Sequence, residues 1–458
     1  MPKNRGEVED IFVVNSILHL HAERSLFRTR GKEKLGLSDG SEAFVGSGDI
    51  FEQDPDEVIT TIDGYGGTTS RFASITTRYG HFYVNQRDRK VYMVTQNIEE
   101  LSAYGMEQWF RDNMKWELEF YDMVRDQVRN SDDGIGTGEL MLDSPLKHFG
   151  FTAGYDSKYK RILLTKHDLS PTKKFKTAHA EGQVDGGIAW NGEKGLFLLY
   201  QDVGGGDLAG SIIKWDDPTY FTQSGWTLSY YPEYKIWGSR HSYLPTNYMS
   251  TAENLHIYTN DLARIQRLDN FAKPGHFSGT TYPFEFEFID NSAPNTSKIY
   301  STFYYWADVT DSKDSKSQTN VYTSPGFTSF YVYNSRQVSG TGTVINYLSN
   351  ARLADKIWYV NDFRDMSKVE VSTDTQLLHD GVNVAGDFNS EIQTAPSTVS
   401  MFTYEGNVNP EYVDTNKDWF KRRKFIDQYV GIRLINDNTN EKLVHLYSAG
   451  TKYRNSNR

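Results

Sequence analysis

The sequence predicts a mainly β protein, with propeller-like repeated antiparallel blades that carry one helical insertion and a C-terminal β-rich, sandwich-like unit behind them. Three observations predict it. Short runs alternate apolar and polar residues at period two and are cut by charged turns, as in YGHFYVNQRDRKVYMV (79 to 94). Degenerate echoes of that hairpin recur down to about residue 269. Aromatic residues make up 14% of the chain, including 30 Tyr and 26 Phe against 13 Pro, which suits strands and broad contact surfaces better than a helical bundle.

The elements follow in chain order. The start, MPKNRGEVEDIFVVNSILHLHAER, carries acids beside a short apolar run. It reads as neither a secretory signal nor a membrane span, which takes about 20 apolar residues, so a soluble chain is expected. In the 79 to 94 hairpin, His81, Tyr83 and Asn85 alternate with Phe82 and Val84, and Val91 and Met93 alternate with Tyr92 and Val94. The turn lacks an Asn-Gly or Asp-Gly pair, so its tight type is not specified, and the hairpin is expected at the outer edge of a blade.

Next, IEELSAYGMEQWFRDNMKWELEFYDMVRDQV places Met106, Trp109, Phe110, Met114, Leu118 and Tyr121 on one stripe. Ser102 offers an N-cap and Gly105 weakens the start, which predicts a helix over about 103 to 128. NSDDGIGTGEL (130 to 140) reads as a polar, glycine-rich loop. The hairpin plan then repeats at 151 to 166, 186 to 200, 226 to 245 and 254 to 269. Turn centres lie about 71, 35, 41 and 28 residues apart, mostly near the roughly 40 to 50 residues of a propeller blade, with the long interval holding the insertion.

Past residue 275 the style changes. TTYPFEFEFID is a strict period-two strand with Phe284, Phe286 and Phe288 on one face and Glu285 and Glu287 on the other. STFYYWADV, FTSFYVYNS, KIWYVNDF and YVGIRLIND are further strands, separated by polar segments such as DSKDSKSQTN (311 to 320), which are expected to be mobile. The expected domains are 1 to 75, an N-terminal segment with the first strands; 76 to 275, propeller-like blades with a helical insertion at about 98 to 130; and 276 to 458, the β-rich C-terminal unit.

Composition excludes several chemistries. The chain has no cysteine, so disulfides, thiolate catalysis and cysteine zinc sites are out, and cytoplasmic assembly is favoured. A net charge of −11 argues against a protein that grips phosphates through a basic face, yet suits a wall past which DNA slides. His-Glu-x-x-His and Gly-x-Gly-x-x-Gly signatures do not occur.

Each remaining constellation has a plain reading. His19 and His21 would share a strand face, but two histidines without a placed third ligand favour packing over a metal. Glu285 and Glu287, roughly 7 Å apart on a strand, overlap the separation of inverting glycosidases, though a solvated strand face is simpler. VGGGDLAGS (203 to 211) lacks the Gly-Lys-Ser/Thr ending of a phosphate loop, and Asp202 and Asp207 beside it fit no calcium-loop spacing, so a turn is expected. Lys421, Arg422, Arg423 and Lys424 form a basic step that suits a solvated loop or an acidic neighbouring subunit. Tyr230, Tyr231, Trp237 and Tyr243 read as blade core before sugar platform. No catalytic, cofactor-binding or metal-ligating residue is expected.

GSGDIFEQDPDEVITTIDGYGGTTSRFASITTRYGHFYVNQRDRKVYMV (46 to 94), GYDSKYKRILLTK, WTLSYYPEYKIWGSRHSYLPTNYM and the closing FKRRKFIDQYVGIRLIN together resemble the tail nozzle, or "muzzle", proteins of short-tailed crAss-like bacteriophages. The likeness runs through about half the chain and rests on aromatic-and-turn patterns. It implies a non-enzymatic virion structural protein, assembled in the host cytoplasm, whose copies form a ring at the tail end with propeller-like domains around a DNA channel. Implied partners are copies of itself, other tail proteins and genomic DNA passing without sequence-specific binding, with host surface glycans as a further candidate. The family has no catalytic residues to carry over. Its members run longer, so the chain is expected to be a C-terminal portion, a split gene product or a reduced version. The alternative function is a carbohydrate-binding or carbohydrate-active propeller or receptor-binding protein.

Overall fold

All five hairpins predicted from period-two alternation form in a computed structural model of the chain. It describes residues 2–29, 33–36, 42–45, 54–115, 149–191, 196–214, 217–252, 254–259, 264–268, 275–277, 280–310, 324–335, 337–339, 342–343, 351–361, 363–365, 422–438 and 442–456. Three of the turns close in the same way. Arg89, Lys160 and Lys235 each take the left-handed position, with φ of 55°, 52° and 54°. A basic residue therefore stands where a glycine would be the usual signal. Local bonds hold the bend: Asp88 N–H donates to the Asn85 side chain and Tyr159 N–H to Asp156.

The chain divides into two compact units, Met1–Asn270 and Phe271–Arg458. Both are mainly β, built from small antiparallel sheets. Unit 1 opens with a sheet of β1 (Val8–Val14), β2 (Ile17–Ala22), β3 (Leu26–Arg28) and β6 (Asp56–Glu57), with the hairpin β4 (Glu33–Gly36) and β5 (Glu42–Val45) between β3 and β6. A second sheet is the meander β7 (Ile75–Thr77), β8 (Gly80–Asn85), β9 (Lys90–Val94) and β10 (Ile98–Glu100). The β8–β9 hairpin lies at the centre of this sheet, which corrects the expected outer edge. Its two faces enter different cores: Phe82, Val84, Val91 and Met93 pack with Phe151, Ile162 and Trp226, whereas Tyr83, Tyr92 and Val94 pack with Phe12, Val14 and Leu26. The first strands of the chain are thereby part of the same packed unit.

The helical insertion also differs from expectation. Within 98 to 115 the chain makes strand β10 and then a short helix, α1 (Glu107–Asn113). Ser102 is no cap: its buried hydroxyl donates to Glu100 and accepts the Val91 N–H, which holds it to the sheet. Gly105, at φ 76°, then turns the chain before the helix starts. Phe110 and Met114 are buried as the stripe requires, and Trp226 donates its indole N–H to the Asn113 carbonyl at the helix end. Leu118, Tyr121 and the 130 to 140 loop lie outside the described residues.

Two hairpins expected in separate blades share one sheet. β11 (Gly150–Asp156) and β12 (Arg161–Pro171) join β16 (Phe221–Tyr231) and β17 (Ile236–His241) in the order β11-β12-β16-β17, with pairing from Ile162↔Tyr230 to Pro171↔Phe221. Between β12 and β16 the chain inserts α2 (Lys173–Glu181) and the sheet β13 (Ile188–Asn191), β14 (Leu196–Asp202) and β15 (Leu208–Ile212). Phe175 and Ala178 of α2 pack on Ile188, Phe197 and Phe221. Thr172 caps this helix by accepting the Phe175 N–H. Thr172→Ala should cost about 1 kcal/mol in chemical denaturation, while Thr172→Ser should cost little. A further sheet, β18 (Asn247–Ser250), β19 (Leu255–Thr259) and β20 (Arg264–Arg267), completes unit 1.

Unit 2 is a sandwich. After a short pair, β21 (His276–Phe277) and β22 (Thr280–Thr281), one sheet runs β23 (Phe284–Asp290), β30 (Val430–Asn436), β25 (Ser329–Tyr333), β26 (Gly342–Thr343). The other runs β27 (Ala351–Ala354), β28 (Ile357–Asn361), β24 (Lys298–Thr310), β29 (Phe425–Asp427), with β31 (Leu443–Asn455) paired along β24. Val332, Ile432 and Leu434 of the first meet Phe303, Tyr305, Trp358 and Val360 of the second in a single core. Segment 311 to 320 lies outside the described residues.

A recurring contact runs through both units. Tyr248 lies against Gly154, Tyr231 against Gly238, Tyr333 against Gly431 and Tyr304 against Gly450, and a Cβ on any of these glycines would overlap the ring. The last two are direct cross-strand partners. Here the glycine is a slot for a tyrosine. Among the described residues no helix is long and apolar enough to cross a membrane.

Candidate functional site

A polar cluster lies where β1 and β2 meet β8. Antiparallel pairing sets Phe12 opposite His19 and Asp10 opposite His21. Phe12 then stacks between His19 and the His81 ring, at 5.0 and 3.4 Å, and His21 sits 4.3 Å from the Tyr83 ring and 5.4 Å from His81. His81 is tied by both nitrogens, Nε2 to Ser74 Oγ at 2.9 Å and Nδ1 to Thr76 Oγ1 at 2.8 Å. Ser74 donates to Asp10 at 2.5 Å. A carboxylate only accepts, so the Ser74 proton points at Asp10, His81 Nε2–H donates to Ser74, and Thr76 donates to Nδ1.

That chain of donors is the reverse of a nucleophile relay, in which the histidine takes the serine proton. Burial, aided by His19, pulls the His81 pKa from 6.5 to about 3, and burial with His81 and His19 lowers that of His21. His21 is fully buried with both ring nitrogens unpartnered among the described residues. Neutral imidazoles here act as flat packing groups between two sheets. The pair at 19 and 21 was visible in the sequence; His81 was not assigned to it, because only tertiary packing brings β8 against β2. No group of three or more His, Asp or Glu able to hold a metal occurs among the described residues.

The other singled-out residues are absorbed by structure. Glu287 pairs with Arg433 Nε at 2.8 Å and accepts from the Tyr333 hydroxyl, while Glu285 stands exposed opposite Ile435. One carboxylate of the pair is thus locked into its own sheet. Asp202 accepts the Gly204 N–H at the start of the β14–β15 turn, whose Gly204, Gly205 and Gly206 all have positive φ. Arg422 is buried, whereas Arg423 and Lys424 are exposed and join the sandwich through their carbonyls, which accept from Asp365 N–H and Gln337; Lys421 lies outside the described residues. Tyr230 and Tyr243 are buried, and Trp237 donates its indole N–H to the Leu101 carbonyl. Unit 1 keeps these rings as core.

The arrangement defines a class: a β-rich chain of small antiparallel sheets ending in a sandwich, whose polar clusters tie strands together. No protein-family model matches the chain, and no curated protein matches it.

Proposed function

We propose that the chain is a non-enzymatic structural subunit of a bacteriophage tail, part of a ring-shaped nozzle built with its own copies and other tail proteins that guides DNA out of the particle and adds to host contact. The observation that carries this reading is the engagement of the candidate chemical groups in architecture: His81 in a donor chain between strands, Glu287 in an ion pair, Asp202 in a turn. In this reading the sheets of unit 1 serve as blades, and the net charge of −11 lets DNA pass without adhering. The sequence resemblance supplies the tail assignment. The carbohydrate-active alternative loses its acid pair, since Glu287 is held by Arg433.

Immunogold electron microscopy of intact particles of the phage encoding the chain, with antibodies against residues 276 to 458, tests the reading. Gold at the tail tip is expected. Unlabelled particles that also lack the protein by mass spectrometry would overturn it.

A further inference from the structure

The outer face of the second sandwich sheet carries four aromatic rings in two neighbouring rungs. β24 buries Phe303 and Tyr305, and at the alternate positions it turns Tyr304 and Trp306 outward. One rung pairs Tyr304 with Tyr359 of β28, ring centroids 6.0 Å apart; the next sets Trp306 beside Tyr447 of β31 at 4.8 Å. Trp306 is 40% and Tyr447 55% exposed. Successive rungs on one face are about 7 Å apart, so the rings form a short track and not isolated exposed residues.

The track is held in place. The Tyr447 hydroxyl donates to Asp308 at 2.9 Å, the Lys452 ammonium sits 4.4 Å over Tyr359, and Tyr304 lies in the slot above Gly450. Polar groups share the same face: Asp308, and Thr302 bonded to Asn361 at 2.8 Å. Rings fixed before binding lose little freedom when a ligand arrives.

We infer that this face is a glycan-binding platform for an uncharged hexose polymer, with Trp306 and Tyr447 stacking on sugar rings, Tyr304 extending the track, and Asp308 and Asn361 bonding hydroxyls. A pyranose presents an apolar C–H face edged by hydroxyls that both donate and accept, which calls for ring planes interleaved with small polar groups. A protein partner would call for an apolar centre with the polar groups at the rim. A nucleic acid would call for a broad positive face, and here Lys452 and Arg352 stand at the Tyr359 end while Asp308 sits beside the most exposed rings. The proposal stands apart from the tail reading, because binding is measured on the purified chain.

The test is affinity electrophoresis of the full chain through gels containing soluble glucan, mannan or galactan, beside Trp306→Ala, Tyr447→Ala and their double variant. At least one polysaccharide should retard the parent, and the double variant should bind roughly tenfold or more weakly. Tyr234→Ala, an exposed ring in a turn of unit 1, should bind as the parent does. If the double variant misfolds by circular dichroism, Trp306→Thr and Tyr447→Thr, which suit a strand, are read in its place. Absence of retardation in all three gels overturns the proposal, as does unchanged binding by the double variant. Self-association of the parent that the double variant abolishes, without sugar binding, would make the face a contact between copies and overturn it too.

Discussion

Asp168→Ala is expected to destabilise unit 1 by about 3 to 5 kcal/mol, the cost of breaking a buried ion pair by removing one partner. Asp168 and Lys166 stand on the same face of β12, with side chains 1% and 4% exposed, and their charged atoms lie 2.7 Å apart. Asp168 also accepts the Leu169 N–H, and the Lys166 ammonium donates to the Lys115 carbonyl just beyond α1. Removing the carboxylate takes this counter-charge from a buried ammonium whose neighbours across the sheet are Phe151 and Trp226. The double variant Lys166→Met/Asp168→Leu removes both charges and should recover most of the loss. Urea midpoints for the parent, the single and the double variant decide it. A single variant within about 1 kcal/mol of the parent would show that the pair is not what holds this edge of the sheet.

The second large effect is acid lability. Burial lowers the folded-state pKa of His81 and of His241 to about 3, from an ordinary 6.5. Below about pH 6.5 the unfolded chain takes up protons that the folded chain refuses, so their contribution is complete above that pH and falls as pH drops toward 3. At pH 5 each of the two should cost about 2 kcal/mol, and buried His21 adds to the loss. Urea unfolding at about pH 7.5 and pH 5 measures the difference. His81→Gln can keep the bonds to Ser74 and Thr76 without titrating, so it should flatten the dependence by about 2 kcal/mol. A parent-like slope in that variant would remove His81 from the explanation.

Strands and hairpins were legible in the sequence because period-two alternation and charged turns are local signals. How the hairpins combine was not. The pairing of β12 with β16 spans the inserted α2 and β13–β15, and nothing in either hairpin alone encodes that partner. The turns hid their type because Arg89, Lys160 and Lys235 occupy the left-handed position. Ser102 carried a capping signal that a strand contact took over. His19 and His21 were visible as a pair, and β1–β2 pairing sets Phe12 beside them, but the contact with His81 required two sheets to meet. In unit 2, the outward rings of STFYYWADV looked no different from the buried ones, since Phe303 and Tyr305 alternate with Tyr304 and Trp306 in one aromatic run. Only the opposing sheet, whose Val332, Ile432 and Leu434 are distant in sequence, decides which face is inner.

The tyrosine-over-glycine slots have a consequence for how such a chain can drift. Each slot makes two positions into one inherited character: while Tyr333 stays, Gly431 tolerates no side chain, and the same holds for Tyr248 with Gly154. Mutation at the glycine is survivable only after the ring has shrunk. The permitted order is tyrosine first, glycine second, and diverging descendants should therefore keep these pairs together or lose them together, even where the surrounding strands have become unrecognisable.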